Sequence, residues 1–119
     1  MSKSIVLLGA SGSIGYQTLD IIKKNPQDFI LKGISIGRKT RKIHGILRHF
    51  PSVQAICIQD KNKVPYYQKH YPNVMFLYGD EGLVKLIDES HAEMVVNALV
   101  GFVGLYPSIY ALSDRKSVV

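Results

Sequence analysis

The stretch Ile5-Val6-Leu7-Leu8-Gly9-Ala10-Ser11-Gly12-Ser13-Ile14-Gly15 decides the fold. Four apolar residues of strand length stop at a Gly/Ser turn, and the turn opens a segment of helical period over residues 13–24. Ile14, Thr18 and Ile22 recur there at four-residue spacing as the expected inward stripe. Lys23 and Lys24 suit the negative end of the helix dipole, and Asn25-Pro26 ends the segment. A strand-to-helix turn without bulky side chains lets several backbone N–H groups converge on one point, to which the helix N-terminus adds partial positive charge; phosphate oxygens require this combination. Gly9 permits the tight turn, Gly12 a close approach and Gly15 the packing of helix on strand, while Ser11 and Ser13 add hydroxyl donors. The spacing is G-x-x-G-x-x-G rather than G-x-G-x-x-G, so the flanking strand and helix, more than the glycines, separate this turn from an ordinary loop.

Outward from this unit the alternation repeats. Strands are predicted at residues 5–8, 31–36, 55–58, 74–77 and 94–98, and helices at 13–24, 40–49, 61–70, 82–90 and 107–113. Pro65 interrupts the third helix, whose start near Val64 would place that proline in a first turn. Strands joined by helices predict an α/β fold: one Rossmann-like, doubly wound, mainly parallel sheet with helices on both faces, filling residues 1–119 as one domain. At 119 residues, 46% hydrophobic and 20% charged, the chain is soluble and globular in composition and long enough to bury roughly two-thirds of its unfolded surface. The final Lys116-Ser117-Val118-Val119 reads as the opening of a further strand, so the chain is expected to be a piece of a longer protein. The first apolar run is too short for a signal or membrane segment, and a cytoplasmic location is expected.

The net charge of +6 is unevenly distributed. Lys23, Lys24, Lys32, Arg38, Lys39, Arg41, Lys42 and Arg48 stand against Asp28 alone, whereas Asp80, Glu81, Asp88, Glu89 and Glu93 stand against Lys85. After the second strand, where NAD-binding domains place a carboxylate for the ribose 2'-hydroxyl, this chain has Gly37-Arg38-Lys39-Thr40-Arg41-Lys42. A 2'-phosphate would find Arg38, able to grip it bidentately, and Lys39 as a point charge. At about 1.5–3 kcal/mol per charged hydrogen bond, one or two such contacts would favour NADPH over NADH by at least about tenfold. The competing reading is a solvated basic loop, to which Arg41, Lys42 and Arg48 are assigned.

Beyond the fifth strand, Asn97-Ala98-Leu99-Val100-Gly101-Phe102-Val103-Gly104-Leu105 leaves the sheet through small residues, toward the crevice where open α/β sheets bind ligands. Gly101 and Gly104 serve either that crevice or only the turn itself. Cys57 lies in the apolar run 55–58 and reads as a core residue. His44, His49, His70 and His91 are dispersed without metal-ligand spacing, and no acid-base pair stands out. Tyr66, Tyr67 and Tyr71 read as partly buried surface tyrosines.

These segments, in this order, resemble the 1-deoxy-D-xylulose 5-phosphate reductoisomerase family. The residues carrying the resemblance are Gly9 to Gly15 with Thr18-Leu19-Asp20, Asn25-Pro26 with Phe29, Tyr78-Gly79-Asp80-Glu81-Gly82-Leu83, and Asn97 through Pro107. The resemblance implies that Ala10, Ser11, Gly12, Ser13 and Ile14 meet the pyrophosphate and adjoining cofactor, that Gly37, Arg38 and Lys39 meet the 2'-phosphate, and that Ala98, Leu99 and Val100 lie on the ribose and nicotinamide side. One departure matters: the family commonly carries Asn where this chain has Lys39, a side chain that suits phosphate binding and lacks the amide for an adenine-side hydrogen bond.

It further implies an NADPH-dependent oxidoreductase of the non-mevalonate isoprenoid pathway. The full-length enzyme converts the sugar phosphate 1-deoxy-D-xylulose 5-phosphate to 2-C-methyl-D-erythritol 4-phosphate, uses a divalent metal (Mg or Mn) and works as a homodimer. The family's Ala-Asn-Lys-Glu motif and its metal carboxylates would follow Val119, so this chain is expected to bind cofactor without turnover. Three alternatives stay open: the cofactor domain of a semialdehyde-dehydrogenase type of NADP-dependent reductase, a non-catalytic NADP-binding module, and, least supported because its basic patch lacks interleaved aromatics, a nucleic-acid-binding module. No membrane partner is expected.

Overall fold

The computed structural model describes residues 2–99 and the backbone of residues 117–118. Strand β1 (Lys3–Leu8) leads into α1 (Ser13–Lys24), β2 (Phe29–Ile36) into α2 (Lys42–His49), and β3 (Ala55–Ile58) through a 3-10 turn (Lys61–Lys63) into α3 (Val64–His70). β4 (Met75–Tyr78), α4 (Gly79–Ser90) and β5 (Met94–Asn97) follow, with β6 at Ser117–Val118. The predicted helix at residues 107–113, Gly101, Gly104 and the candidate Val100 lie outside the described residues.

One sheet runs β4-β3-β2-β1-β5-β6, and every neighbouring pair is parallel. From β1 the chain steps outward through β2, β3 and β4, then returns past β1 to lay down β5 on its other side. Right-handed crossovers place helices on one face for steps in one direction and on the opposite face for steps back. The core follows this rule. Ile5, Leu7, Ile34, Ile56 and Phe76 pack on one face with Leu19 and Ile22 of α1, Ile43 and Ile46 of α2, and Tyr67 of α3. Val6, Leu8, Ala55, Cys57 and Leu77 point to the other face, where Leu83, Leu86 and Ile87 of α4 cover them. Strands buried on both faces read as continuous apolar runs, which is why they were visible in the sequence.

Three expectations are corrected. The buried stripe of α1 is Gly15, Leu19 and Ile22; Ile14 is 58% exposed, and Thr18 turns its hydroxyl onto the Ile14 carbonyl at 2.9 Å. Gly15 sets that rotation, because only a residue without a side chain can lie against the preceding turn. The fourth helix begins at Gly79 rather than at residue 82, with Asp80 and Glu81 in its first turn, where the dipole favours carboxylates. Tyr67 is buried, stacked on Phe76 with ring centroids 5.8 Å apart, rather than a surface tyrosine. The third helix does start at Val64, with Pro65 in the turn where its missing N–H costs nothing.

Candidate functional site

The sheet changes direction between β1 and β5, and the crevice outside the carboxyl ends of these two strands is where open α/β sheets take ligands. Ala98 N–H donates to the Leu8 carbonyl at 2.8 Å, extending the β1–β5 pairing to the rim of this crevice. Gly9 then turns with φ +85°, and a β-carbon on it would come within 3.0 Å of the Ala98 carbonyl group and 3.2 Å of the Leu99 nitrogen. Both the left-handed backbone and the neighbouring chain exclude a side chain here. The candidate residues Ala98 and Leu99 therefore lie against the candidate Gly9. Asn97 shapes their exit by accepting the Leu99 N–H at 3.0 Å through its side-chain oxygen.

The turn is anchored from β2. Gly9 N–H donates to the Ser35 hydroxyl at 2.8 Å and Ala10 N–H to the Ser35 carbonyl at 2.8 Å. Ser35 is itself buried, a polar residue inside the sheet that the sequence reading had not singled out. With Gly9 and Ala10 held from below, Ser11, Gly12, Ser13 and Ile14 pass over the rim: Ser11 is half-buried and the other three are exposed. Gly12 caps α1 in an extended conformation, no side-chain cap hydrogen bond is made to the helix start among the described residues, and the first turn carries no acidic residue. The first N–H groups of α1 thus face the crevice with the helix dipole behind them.

The β2–α2 turn supplies charge. Gly37 is half-buried, Arg38 and Lys39 are exposed and Thr40 is buried. Arg38, Lys39, Arg41, Lys42 and Lys63 line one groove with Thr40, and no carboxylate is among its described lining residues. Among the described residues the one ion pair is Lys24–Asp20 at 2.9 Å, so none of the five cations is internally neutralised. Arg41 and Lys42, assigned from sequence to a solvated loop, belong to this groove; Arg48 does not. Lys42 also donates from Nζ to the Ser11 carbonyl at 3.1 Å, tying the cationic groove to the glycine turn. Sequence reading missed this link because Ser11 and Lys42 are distant along the chain and meet only through the β1–β2 pairing.

A slot at the ends of β2 and β3 adjoins the turn, lined by Ser35, Gly37, Cys57, Asp80 and Leu99 among others. The Cys57 thiol is buried with its Sγ 3.5 Å from the Gly79 carbonyl. Burial, and after it the Asp80 charge, push it up to about 12, so it remains a protonated core thiol at neutral pH. Among the described residues no three His, Cys, Asp or Glu side chains converge to hold a metal ion. No described helix is long and apolar enough to cross a membrane.

Comparison with known proteins agrees with this geometry. The family model for 1-deoxy-D-xylulose 5-phosphate reductoisomerase matches residues 5–119. The chain is 40% identical over 116 residues to 1-deoxy-D-xylulose 5-phosphate reductoisomerase 2 of Bacillus thuringiensis subsp. konkukian, covering 98% of this chain and 30% of that protein. It is 38% identical over 117 residues to the reductoisomerase of Geobacillus kaustophilus, with the same coverage of 98% and 30%. Among solved structures, DOX-P reductoisomerase in complex with NADPH, fosmidomycin and magnesium superposes with a TM-score of 0.89 at 27% identity, over 98% of this chain and 29% of that one. The Zymomonas mobilis enzyme in complex with NADPH shares the fold, with a TM-score of 0.88 at 22% identity over 100% and 31% of the two chains. The chain therefore spans about 30% of the length of the curated relatives it matches. A strand, glycine turn and helix at the switch point, followed by a family match running from Ile5 to the last residue, show that this chain belongs to the 1-deoxy-D-xylulose 5-phosphate reductoisomerase family.

Proposed function

We propose that this chain is the NADPH-binding domain of a reductoisomerase acting on 1-deoxy-D-xylulose 5-phosphate. The observation that carries the reading is the link from Ser11 to Lys42, which joins a helix N-terminus suited to a pyrophosphate with a groove of five cations, none in an ion pair among the described residues, suited to a further phosphate. In this reading Ala10, Ser11, Gly12, Ser13 and Ile14 line the pyrophosphate and adjoining cofactor, and the free N–H groups at the start of α1 donate to it, while the Ala10 N–H stays on the Ser35 carbonyl and Gly9 makes the turn possible. Among the described residues, Gly12 has only the Gly9 oxygen within 4 Å of a would-be β-carbon, at 3.9 Å, and Gly37 has nothing. These two glycines leave room on the ligand's side rather than the protein's. Gly37, Arg38 and Lys39 hold the 2'-phosphate, and Ala98, Leu99 and Val100 line the ribose and nicotinamide side. NADPH, when bound, supplies a hydride; the residues here bind and orient it and perform no proton transfer.

The reaction of the longer relatives, conversion of the sugar phosphate to 2-C-methyl-D-erythritol 4-phosphate, is proposed for a protein carrying this chain as its cofactor-binding part. The divalent metal, the homodimer and a cytoplasmic setting belong to the same proposal. The chain alone binds NADPH and does not turn over the sugar phosphate. Calorimetric titration with both nucleotides tests this: NADPH binds at least about tenfold more tightly than NADH, and the double substitution Arg38→Ala, Lys39→Ala removes most of that difference. An unchanged ratio in the double variant refutes the role of these two residues.

A further inference from the structure

We propose that Lys63, delivered by the turn after β3, is a specificity residue for the phosphate on the adenosine ribose, lining one groove with Arg38 and Lys39. The inference rests on the cofactor reading above and adds a residue from a separate segment. Lys63 follows β3, not β2, yet lines the same groove as Arg38, Lys39, Arg41 and Lys42.

Its position is built by the local sequence. The Asp60 carboxylate accepts the Asn62 N–H at 2.9 Å, and Lys63 N–H donates to the Asp60 carbonyl at 3.0 Å. Val64 N–H closes the 3-10 turn onto Lys61, and Pro65 then fixes the first turn of α3. The backbone of Lys63 is thus held between a capped turn and a helix start. Asp60, the nearest carboxylate in sequence, is engaged with the turn and forms no ion pair with Lys63.

Electrostatics gives the reason for a ligand. Cations from two segments held around one groove repel one another, and with no carboxylate among its described lining residues the repulsion is relieved by a bound anion. A phosphate monoester carries about two negative charges and three terminal oxygens near neutral pH. A bidentate Arg38 occupies two oxygens, which leaves the third for an ammonium arriving from another direction. Lys63 comes from a segment of its own and fits that requirement. Lys61, two residues earlier in the same turn, does not line the groove.

The test is titration of the unaltered chain, Lys63→Gln, Lys63→Arg and Lys61→Gln with NADPH and NADH. Lys63→Gln is expected to weaken NADPH by about five- to tenfold, with NADH unchanged and a shallower salt dependence for NADPH. Lys63→Arg keeps most of the preference and Lys61→Gln all of it. If the unaltered chain prefers NADPH and Lys63→Gln retains that preference in full, the assignment of Lys63 is overturned and the cofactor reading survives. If the unaltered chain does not discriminate between the nucleotides, both fall.

Discussion

The carbonyl oxygen of Gly9 occupies the space that a β-carbon on Gly15 would need: the two would be 2.2 Å apart, with the Ala10 Cα at 2.8 Å. Helix α1 is seated directly on the turn from which it springs, so its first amides are held at the rim of the crevice. Gly15→Ala forces the helix off the strand. The expected cost is about 1–3 kcal/mol of stability, read as a lowered urea midpoint, together with weakened NADPH binding. A variant as stable as the parent would show that the contact is dispensable.

Ser35 is expected to be the buried support of the same turn. Ser35→Ala removes the hydroxyl that accepts the Gly9 N–H and leaves that donor buried without a partner, at about 1–3 kcal/mol. Because the Ala10 N–H still reaches the Ser35 carbonyl, the fold persists and the loss appears in chemical denaturation. An unaltered midpoint would contradict the role.

The Cys57 thiol gives the stability a dependence on alkaline pH. Its folded-state value, pushed up to about 12, lies above that of an unfolded thiol, about 8.5. The unfolded chain therefore releases this proton first, and the contribution is full below the unfolded value and declines as pH rises toward the folded one. Denaturant midpoints measured at about pH 7 and about pH 10 should fall more in the parent than in Cys57→Ala. Equal falls would place the effect elsewhere. A thiol reagent should label native Cys57 only as fast as the structure opens.

His44 and Tyr71 share a hydrogen bond between α2 and the end of α3. Tyr71→Phe keeps the ring contacts and removes the hydroxyl, so thermal unfolding should show a loss of about 0.5–1.5 kcal/mol. NADPH affinity should be unchanged, since neither residue lines the cationic groove. A change in affinity would mean that the α2–α3 joint reports to the site.

Much of this arrangement was legible in the sequence because it rests on local rules. Gly9 to Gly15 between a strand and a helix, and Arg38-Lys39 in place of a carboxylate, are patterns of neighbours. What escaped is non-local. The inward face of α1 was misread because Ile14 and Thr18 have the right spacing, whereas the contact between Gly15 and Gly9 decides the rotation. Ser35 is one small polar residue in an apolar strand, and only the β1–β2 pairing brings it beneath Gly9. Lys42 looks like a solvated surface lysine until the sheet brings it to the Ser11 carbonyl, and Lys63 until the sheet sets its segment beside Arg38.

In the proposed cofactor site the amides of the glycine turn hold a pyrophosphate while the β2–α2 groove holds the phosphate that distinguishes NADPH. The most direct test is amide-resolved NMR of the chain titrated with NADPH and then with NADH. Both nucleotides are expected to shift the amides of Ala10 to Ile14, and NADPH alone those of Gly37 to Lys39. Shifts confined to other parts of the molecule, or identical responses of Gly37 to Lys39 to the two nucleotides, would contradict it.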